Sequence, residues 1–267
     1  MLFFYFRAVE IYPIGTFYGD AVYKYEAPRQ GRLFAGHPGQ IRLQSGMNFE
    51  TALRDLEGFE RIWVIFCFHE NSGWRPTTRP PVPAIGKERI GTFASRSPYR
   101  PNPIGLSCVR LLKIEGLTLY VDEADLLNET PIIDIKPYIP MADAFPNAKA
   151  GWVDDQNLEL WEIGFSELFK EQNEWLYKKA GYDLKSFAQI QLAQGPKDTS
   201  RRRITLNPPN GTLSYRTFRM DFEFDEIKKS VFLKSIYSGY SPEEIDSPDD
   251  PYGDKQIHYQ FTIQYKN

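Results

Sequence analysis

The stretch GLSCVRLLKIEGLTLYVDEADLL, Gly105–Leu127, decides the fold. Two runs rich in leucine and β-branched residues flank Glu115-Gly116, which reads as the turn of a hairpin. On its N-terminal side ERIWVIFCFHE (60–70) is nearly all apolar and β-branched or aromatic, as in a strand buried on both faces. On its C-terminal side TPIIDIKPYI (130–139) reads as another strand; VEIYPIGTFYG (9–19) and QIRLQ (40–44) add two more upstream. The helix expected in this half is NFETALRDLEGF (48–59), with Asn48 as N-cap, Leu53 and Leu56 on one face and Gly58 as its stop. Many consecutive strands and few helices predict a mainly β fold. A single-sheeted closed or nearly closed β-barrel over residues 1–145 removes exposed sheet edges. A doubly wound sheet would need long helices alternating with the strands, and the pattern lacks them.

After residue 145 the texture changes. FPNAKAGWVDD (145–155) reads as a linker and LELWEIGF (158–165) as a strand. SELFKEQNEWLYKKAG (166–181) is a helix capped by Ser166, with Gly181 just past its end. YDLKSFAQIQLAQG (182–195) is a second, capped by Asp183 and stopped by Gly195. In GTLSYRTFRMDFEFDEI (211–227) alternation puts Phe218, Met220, Phe222 and Phe224 on one face, and Tyr215, Thr217, Arg219 and Asp221 on the other. SVFLKSIYSG (230–239) and KQIHYQFTIQYK (255–266) read as closing strands. Residues 146–267 are expected to form a small α+β C-terminal domain.

The 267 residues suffice for a large and a small domain with a sizeable core. No apolar run approaches the length that spans a bilayer, so no membrane partner is expected. The opening MLFFYFRAVEIYPIG is interrupted by Arg7 and Glu10 and lacks a basic region and a small-residue cleavage site. It reads as a first strand rather than a signal peptide. Cys67 and Cys108 lie in apolar runs without metal spacing. They read as buried reduced thiols of a cytoplasmic protein, and no metal is expected. The net charge of −3 speaks against nucleic acid, but its distribution does not. Residues 75–110 carry seven basic side chains against Glu88 alone; RRR at 201–203 is a second basic cluster, and SPEEIDSPDDPYGD (241–254) holds six acidic residues. A locally basic surface can meet phosphates within a Debye length of about 10 Å. Charge alone equally allows ordinary surface pairs.

Seven of the twenty prolines fall between Arg75 and Pro103. A loop this stiff loses little entropy on ordering. Its arginines offer planar forks of donors to an anionic or aromatic ligand, and Asn102, between two prolines, is held extended. The same residues also allow a rigid connection whose arginines pair with nearby carboxylates.

Four segments carry a resemblance. GTFASRSPYRPNPIGLS (91–107), DLLNETPIIDIKPYIPMADA (125–144), APRQ (27–30) and FHENSGWRPTTRPP (68–81) resemble the signatures of the TrmO (YaeB/TsaA-like) family of S-adenosylmethionine-dependent tRNA methyltransferases. A weaker likeness continues through LAQGPKDTSRRR (192–203) and YRTFRMDFEF (215–224). The resemblance implies a β-barrel with a small C-terminal domain, and a homodimer with the methyl donor near the subunit interface. It implies methylation at N6 of threonylcarbamoyl-adenosine, position 37 of tRNA. Carried over by motif, it implies a donor site of Pro28, Arg29, Gln30, His69, Glu70, Arg96, Leu106, Asp125, Leu126, Leu127 and Asn128. Arg100 and the cluster Arg201, Arg202 and Arg203 are expected to face tRNA, and Tyr215 or Asp221 to take or orient the N6 proton. Read singly, His69 would cap a strand, Asp125 would cap a turn and Leu106 would be ordinary core. The chain departs from the family pattern at Glu70 (commonly Gln), at Asn128-Glu129 (commonly Asp then Gly), and at Gly195 and Ser200 (Asp and Tyr). The alternative function is a module that keeps the adenosyl ligand and RNA affinity without transfer.

Overall fold

The computed structural model describes residues 9–24, 26, 38–80, 88–154, 160–193, 195–197 and 203–265. The chain divides into two compact units, Met1–Gln156 and Asn157–Asn267.

In the first unit the elements run β1 (Gly15–Gly19), β2 (Gly39–Leu43), α1 (Phe49–Ala52), β3 (Arg61–Cys67), β4 (Thr77–Thr78), β5 (Ile90–Gly91), β6 (Ile104–Glu115), β7 (Thr118–Asp122), β8 (Thr130–Pro137) and α2 (Pro140–Asp143). Six of them close a barrel in the order β1-β2-β7-β6-β3-β8, while β4 and β5 pair separately. The expected barrel is therefore present.

Several local expectations change. β3 alternates: Ile62, Val64 and Phe66 face the core, and Trp63, Ile65 and Cys67 are half-buried on the outside. A single-layer barrel has one interior, so only one face of any strand can be fully buried. Cys67 and Cys108 form no disulfide and are half-buried rather than buried, on that outer side. The 48–59 helix shrinks to α1 and a 3-10 turn, Leu56–Gly58, and Asn48 has a left-handed backbone and no capping bond. Leu53 and Leu56 nonetheless pack on the barrel core. The hairpin turn is Gly116-Leu117, one residue later than expected, with Glu115 paired to Thr118 and Gly116 at φ 58°. Residues 9–14 precede β1 and are not strand.

Inside the barrel, aromatic rings cover glycines on neighbouring strands. A Cβ on Gly39 would fall 2.2 Å from the Phe17 ring, and one on Gly105 would fall 2.3 Å from the Phe66 ring. Both rings are buried and fill the interior at one end of the barrel.

The second unit runs β9 (Glu162–Phe165), α3 (Glu167–Ala180), α4 (Leu184–Leu192), β10 (Ile204–Asn207), β11 (Asn210–Tyr215), β12 (Phe218–Asp225), β13 (Ser230–Ser238), α5 (Pro242–Asp246) and α6 (Lys255–Gln264). The sheet order is β10-β11-β12-β13-β9, with β9 parallel to β13. Ser166 caps α3 by accepting from Phe169 N–H, Asp183 caps α4 by accepting from Ser186 N–H, and Gly181 ends α3 in the left-handed region, as expected.

Two expectations fail here. The alternating run 211–227 is a hairpin and not one strand. Arg216-Thr217 forms its turn and Tyr215 pairs with Phe218, so Tyr215 shares the buried face with the phenylalanines. And 255–266 forms helix α6, not a strand. Lys255, His258 and Phe261, three apart, are its buried residues, so tertiary burial at a helical spacing overrode the β propensity of its aromatic and branched side chains.

Candidate functional site

Register places the motif segments at one rim of the barrel. Gly19 pairs with Gly39, Gly39 with Val121, Cys67 with Ile104, and Phe17 with Thr130. The ends of β1, β3 and β7 and the starts of β2, β6 and β8 therefore lie together. The connections leaving this rim are those that carry the resemblance: 20–38, 68–103 and 123–129. Pro28, Arg29 and Gln30 belong to the first of these connections but lie outside the described residues, as do Arg201 and Arg202.

Hydrogen bonds stitch the rim. Asn128 N–H donates to Ala21 O at 2.7 Å, and Gly19 N–H donates to Asn128 Oδ1 at 3.3 Å, joining 125–129 to the end of β1. His69 Nδ1 lies 3.5 Å from Thr130 Oγ1, joining the end of β3 to the start of β8, and His69 Nε2 is 3.8 Å from the exposed Glu70 carboxylate. Lys24 Nζ donates to Glu70 O, and Phe68 N–H donates to Pro103 O at 2.7 Å. The Ser107 hydroxyl donates to Asp125 Oδ1. Leu126 is core, Leu127 is half-buried and its carbonyl accepts from Thr130 N–H at 3.2 Å. Leu106 is 53% exposed on the outer face of β6, so it is not ordinary core.

The proline loop is held by its own side chains. Thr92 is buried; its N–H donates to Pro76 O at 3.0 Å and its hydroxyl to Arg75 O. Arg100 Nη1 donates to Thr92 O at 3.2 Å and Ser95 O at 3.0 Å, so its guanidinium shapes the loop. The Arg75 guanidinium lies over the Tyr99 ring, 4.4 Å from its centroid. Arg96 is exposed and makes no hydrogen bond or ion pair among the described residues.

One residue of the rim escaped sequence reasoning. Asn71 Nδ2 is buried and has no hydrogen-bond partner among the described residues. Its signal was its place in FHEN, directly after His69 and Glu70. An unsatisfied buried donor costs roughly 1–3 kcal/mol unless a ligand or water meets it. This rim thus offers an amide donor, the Asp125 and Glu70 carboxylates, a cation at Arg96 and apolar surface at Leu106. That set suits a zwitterionic ligand with an adenosyl group, which needs partners of each kind. Among the described residues no cluster of three His, Cys, Asp or Glu could hold a metal ion, and no helix is long and apolar enough to cross a membrane.

In the second unit Tyr215 and Asp221 are not brought together. Tyr215 is 5% exposed and packs edge-on against Phe187 and Tyr182 in the core. Asp221 lies on the opposite face, its Oδ1 accepting from Thr212 Oγ1 at 2.9 Å and Tyr237 OH at 3.2 Å. Arg203 is half-buried just before β10, and its carbonyl accepts from Ser214 N–H at 2.8 Å. Gly195, where the family pattern has aspartate, has φ 85°, and a Cβ there would fall 2.6 Å from the Trp161 ring, so a side chain would be strained and would have to displace that ring.

Comparisons with known proteins agree with this geometry. The family model for the tRNA-methyltransferase O N-terminal domain matches residues 19–144, from the last residue of β1 through the other five barrel strands and the rim connections. The tRNA (adenine(37)-N6)-methyltransferase of Escherichia coli K12 is 36% identical over 185 residues, spanning 67% of this chain and 78% of that protein. The human protein of the same name is 34% identical over 137 residues, 51% of this chain and 31% of its own length. Among solved structures, TrmO from Pseudomonas aeruginosa superposes with a TM-score of 0.64 at 26% identity, covering 88% of this chain and all of the other. The matched segment carries the rim loops as well as the strands, and the chain belongs to the TrmO family of tRNA methyltransferases.

Proposed function

We propose that the chain methylates N6 of adenosine 37 in tRNA, with S-adenosylmethionine as donor and the threonylcarbamoyl-modified adenosine as acceptor, in the cytoplasm and as a homodimer. The observation that carries this reading is the convergence of every described donor-motif segment on one barrel rim, in a chain whose relatives act on adenine 37. S-adenosylmethionine would supply an electrophilic methyl group on its sulfonium. The residues proposed to hold it are Pro28, Arg29, Gln30, His69, Glu70, Arg96, Leu106 and Asp125 to Asn128, joined now by Asn71. Arg96 suits the donor carboxylate, and Asp125 or Glu70 suits its amino group or sulfonium.

The acceptor nitrogen is a poor nucleophile, because its lone pair is delocalised into the purine and the carbamoyl group. Holding it in line with the methyl group supplies most of the acceleration, as effective molarity. Methyl transfer would make the N6–C bond as the donor's S–C bond breaks, would leave the neutral thioether S-adenosylhomocysteine, and would release the N6 proton, which Asp221 is proposed to accept or orient. Tyr215, buried beneath the sheet, supports that strand. Arg201, Arg202 and Arg203, with the exposed arginines of the proline loop, are proposed to bind tRNA phosphates.

Transfer of labelled methyl to tRNA from a strain lacking the gene, with mass spectrometry of the nucleosides, tests activity and acceptor together. The expected product is N6-methylated threonylcarbamoyl-adenosine. Donor binding without product would instead mark a binding module.

A further inference from the structure

Two aromatic side chains of the proline loop are pinned in place yet left in water. Trp74 is 49% exposed and Phe93 is 74% exposed. Their rings lie nearly parallel, 20° apart in plane, with centroids 6.2 Å apart. Neither is exposed because its loop is loose. Phe93 sits in a 3-10 turn, Thr92–Ala94, whose neighbours are anchored on every side. Buried Thr92 bonds to Arg75 O and Pro76 O; Arg100 clamps Thr92 O and Ser95 O; Trp152 Nε1 donates to Ala94 O at 2.7 Å. Next to Trp74, Arg75 N–H donates to Tyr99 O at 3.2 Å, and Thr77 pairs with Gly91 across the β4–β5 ladder. A fold that spends this many bonds on holding two stacked, exposed rings has pre-organised an apolar aromatic surface.

The surroundings select its occupant. The Arg100 guanidinium lies 5.7 Å from the Phe93 ring centroid, and Arg96, exposed and unpaired among the described residues, follows three positions later. The segment 75–110 holds seven basic residues and one acidic. Exposed aromatic faces among cations match an unstacked nucleic-acid base, whose π-face stacks while its phosphates meet the charges. We propose that Trp74 and Phe93 form a stacking platform for an unpaired RNA base that flanks the methylated adenine. The platform rests on the tRNA methyltransferase reading above, and adds to it two side chains outside the proposed donor set that position the loop of the RNA.

The test measures binding of an anticodon stem-loop RNA by fluorescence anisotropy to the full-length wild type and to Trp74→Leu, Phe93→Leu and Phe93→Tyr. Leucine keeps apolar bulk and removes the π-face, whereas tyrosine keeps both. Each leucine variant is expected to raise Kd by roughly 5- to 150-fold, the range of one lost base–aromatic stack. The salt dependence of binding should keep its slope, since no phosphate contact is removed. Phe93→Tyr should bind as the wild type does, and calorimetric affinity for S-adenosylmethionine should be unchanged throughout. Wild-type RNA affinity in both leucine variants overturns the platform while leaving wild-type methylation, and thus the proposed function, intact. Loss of donor affinity in place of RNA affinity would put the donor's adenine on the rings, and overturns the proposal. Dissociation of an oligomer in light scattering would mean that a second copy covers them, which also overturns it. If the wild type itself neither binds the RNA nor methylates tRNA, the functional reading falls, and the platform with it.

Discussion

Asp125 accepts the Ser107 hydroxyl and stands three residues before Asn128, the residue that ties its loop to the end of β1. Removing its charge while keeping an acceptor separates donor binding from folding. Asp125→Asn is expected to weaken S-adenosylmethionine binding by roughly 10- to 100-fold, the worth of a charge-assisted hydrogen bond, with a melting temperature near that of the wild type. Arg96→Ala should also weaken it without unfolding the chain, because no described residue leans on that guanidinium. Unchanged calorimetric affinity in both variants would remove these residues from the donor site. Asp221 and Tyr215 differ in the opposite way. Asp221→Asn should leave stability unaltered and lower kcat. Tyr215→Ala should cost about 3–5 kcal/mol, as deletion of a buried aromatic does, whereas Tyr215→Phe should keep most of the activity. A large kcat loss in Tyr215→Phe at unchanged stability would restore the tyrosine as a catalytic group.

Strand β6 owes its close approach to β3 to Gly105, whose missing side chain makes room for the Phe66 ring. Gly105→Ala is expected to destabilise by roughly 1–3 kcal/mol through overpacking, read as a lower urea midpoint at unchanged slope. Helix α6 is held by a buried polar cluster. His258 is 0% exposed and stacks on Phe218; its Nε2 lies 2.7 Å from Thr217 Oγ1 and its Nδ1 2.8 Å from Ser238 Oγ. Asp254 accepts from the Thr217 hydroxyl and from Tyr240 OH at 2.8 Å. Because the Thr217 proton goes to Asp254, its oxygen is free to accept from Nε2–H, and the Ser238 hydroxyl can donate to Nδ1. The neutral ring is thereby satisfied. Burial pushes the His258 pKa down from 6.5 to about 4; Asp254 and Asp250 oppose this and Arg219 reinforces it. A depressed histidine leaves stability whole above its unfolded pKa of about 6.5, and removes it as pH falls from there to about 4, where the unfolded chain binds a proton that the folded one refuses. The second unit should therefore melt at lower temperature at pH 5 than at pH 7, and His258→Gln should shrink that difference. An equal drop in both proteins would assign the acid sensitivity to other groups.

At the scale of the whole molecule, the exposed apolar side chains Ile104, Leu106 and Leu112 on the outer face of β6 favour a second copy. Light scattering at micromolar concentration with donor present is expected to give about twice 31.0 kDa. Leu106→Glu should lower that mass by placing a charge on the apolar face. A monomer that methylates tRNA at full rate would end the dimer proposal.

Much of this was legible before any coordinates, because strands and caps are local. The existence of most barrel strands, the Ser166 and Asp183 caps and the Gly181 stop depend on neighbours within a few positions. Motif spelling, likewise, pointed to the rim segments one by one. What the sequence could not contain was parity across a turn. Two residues at Arg216-Thr217 moved Tyr215 into the core, a reversal invisible to alternation counted along one line. Nor could propensity decide 255–266, where contacts of Lys255, His258 and Phe261 with residues distant in sequence set the helical period. Only closure of the sheet gathered residues 69, 106 and 125–128 at one rim, since that neighbourhood arises from strand pairing between residues as much as 117 positions apart, such as Gly15 on β1 and Ile132 on β8. Chain-local chemistry chose the elements; long-range burial chose which faces met, because each side chain's environment is supplied by residues that local patterning cannot see.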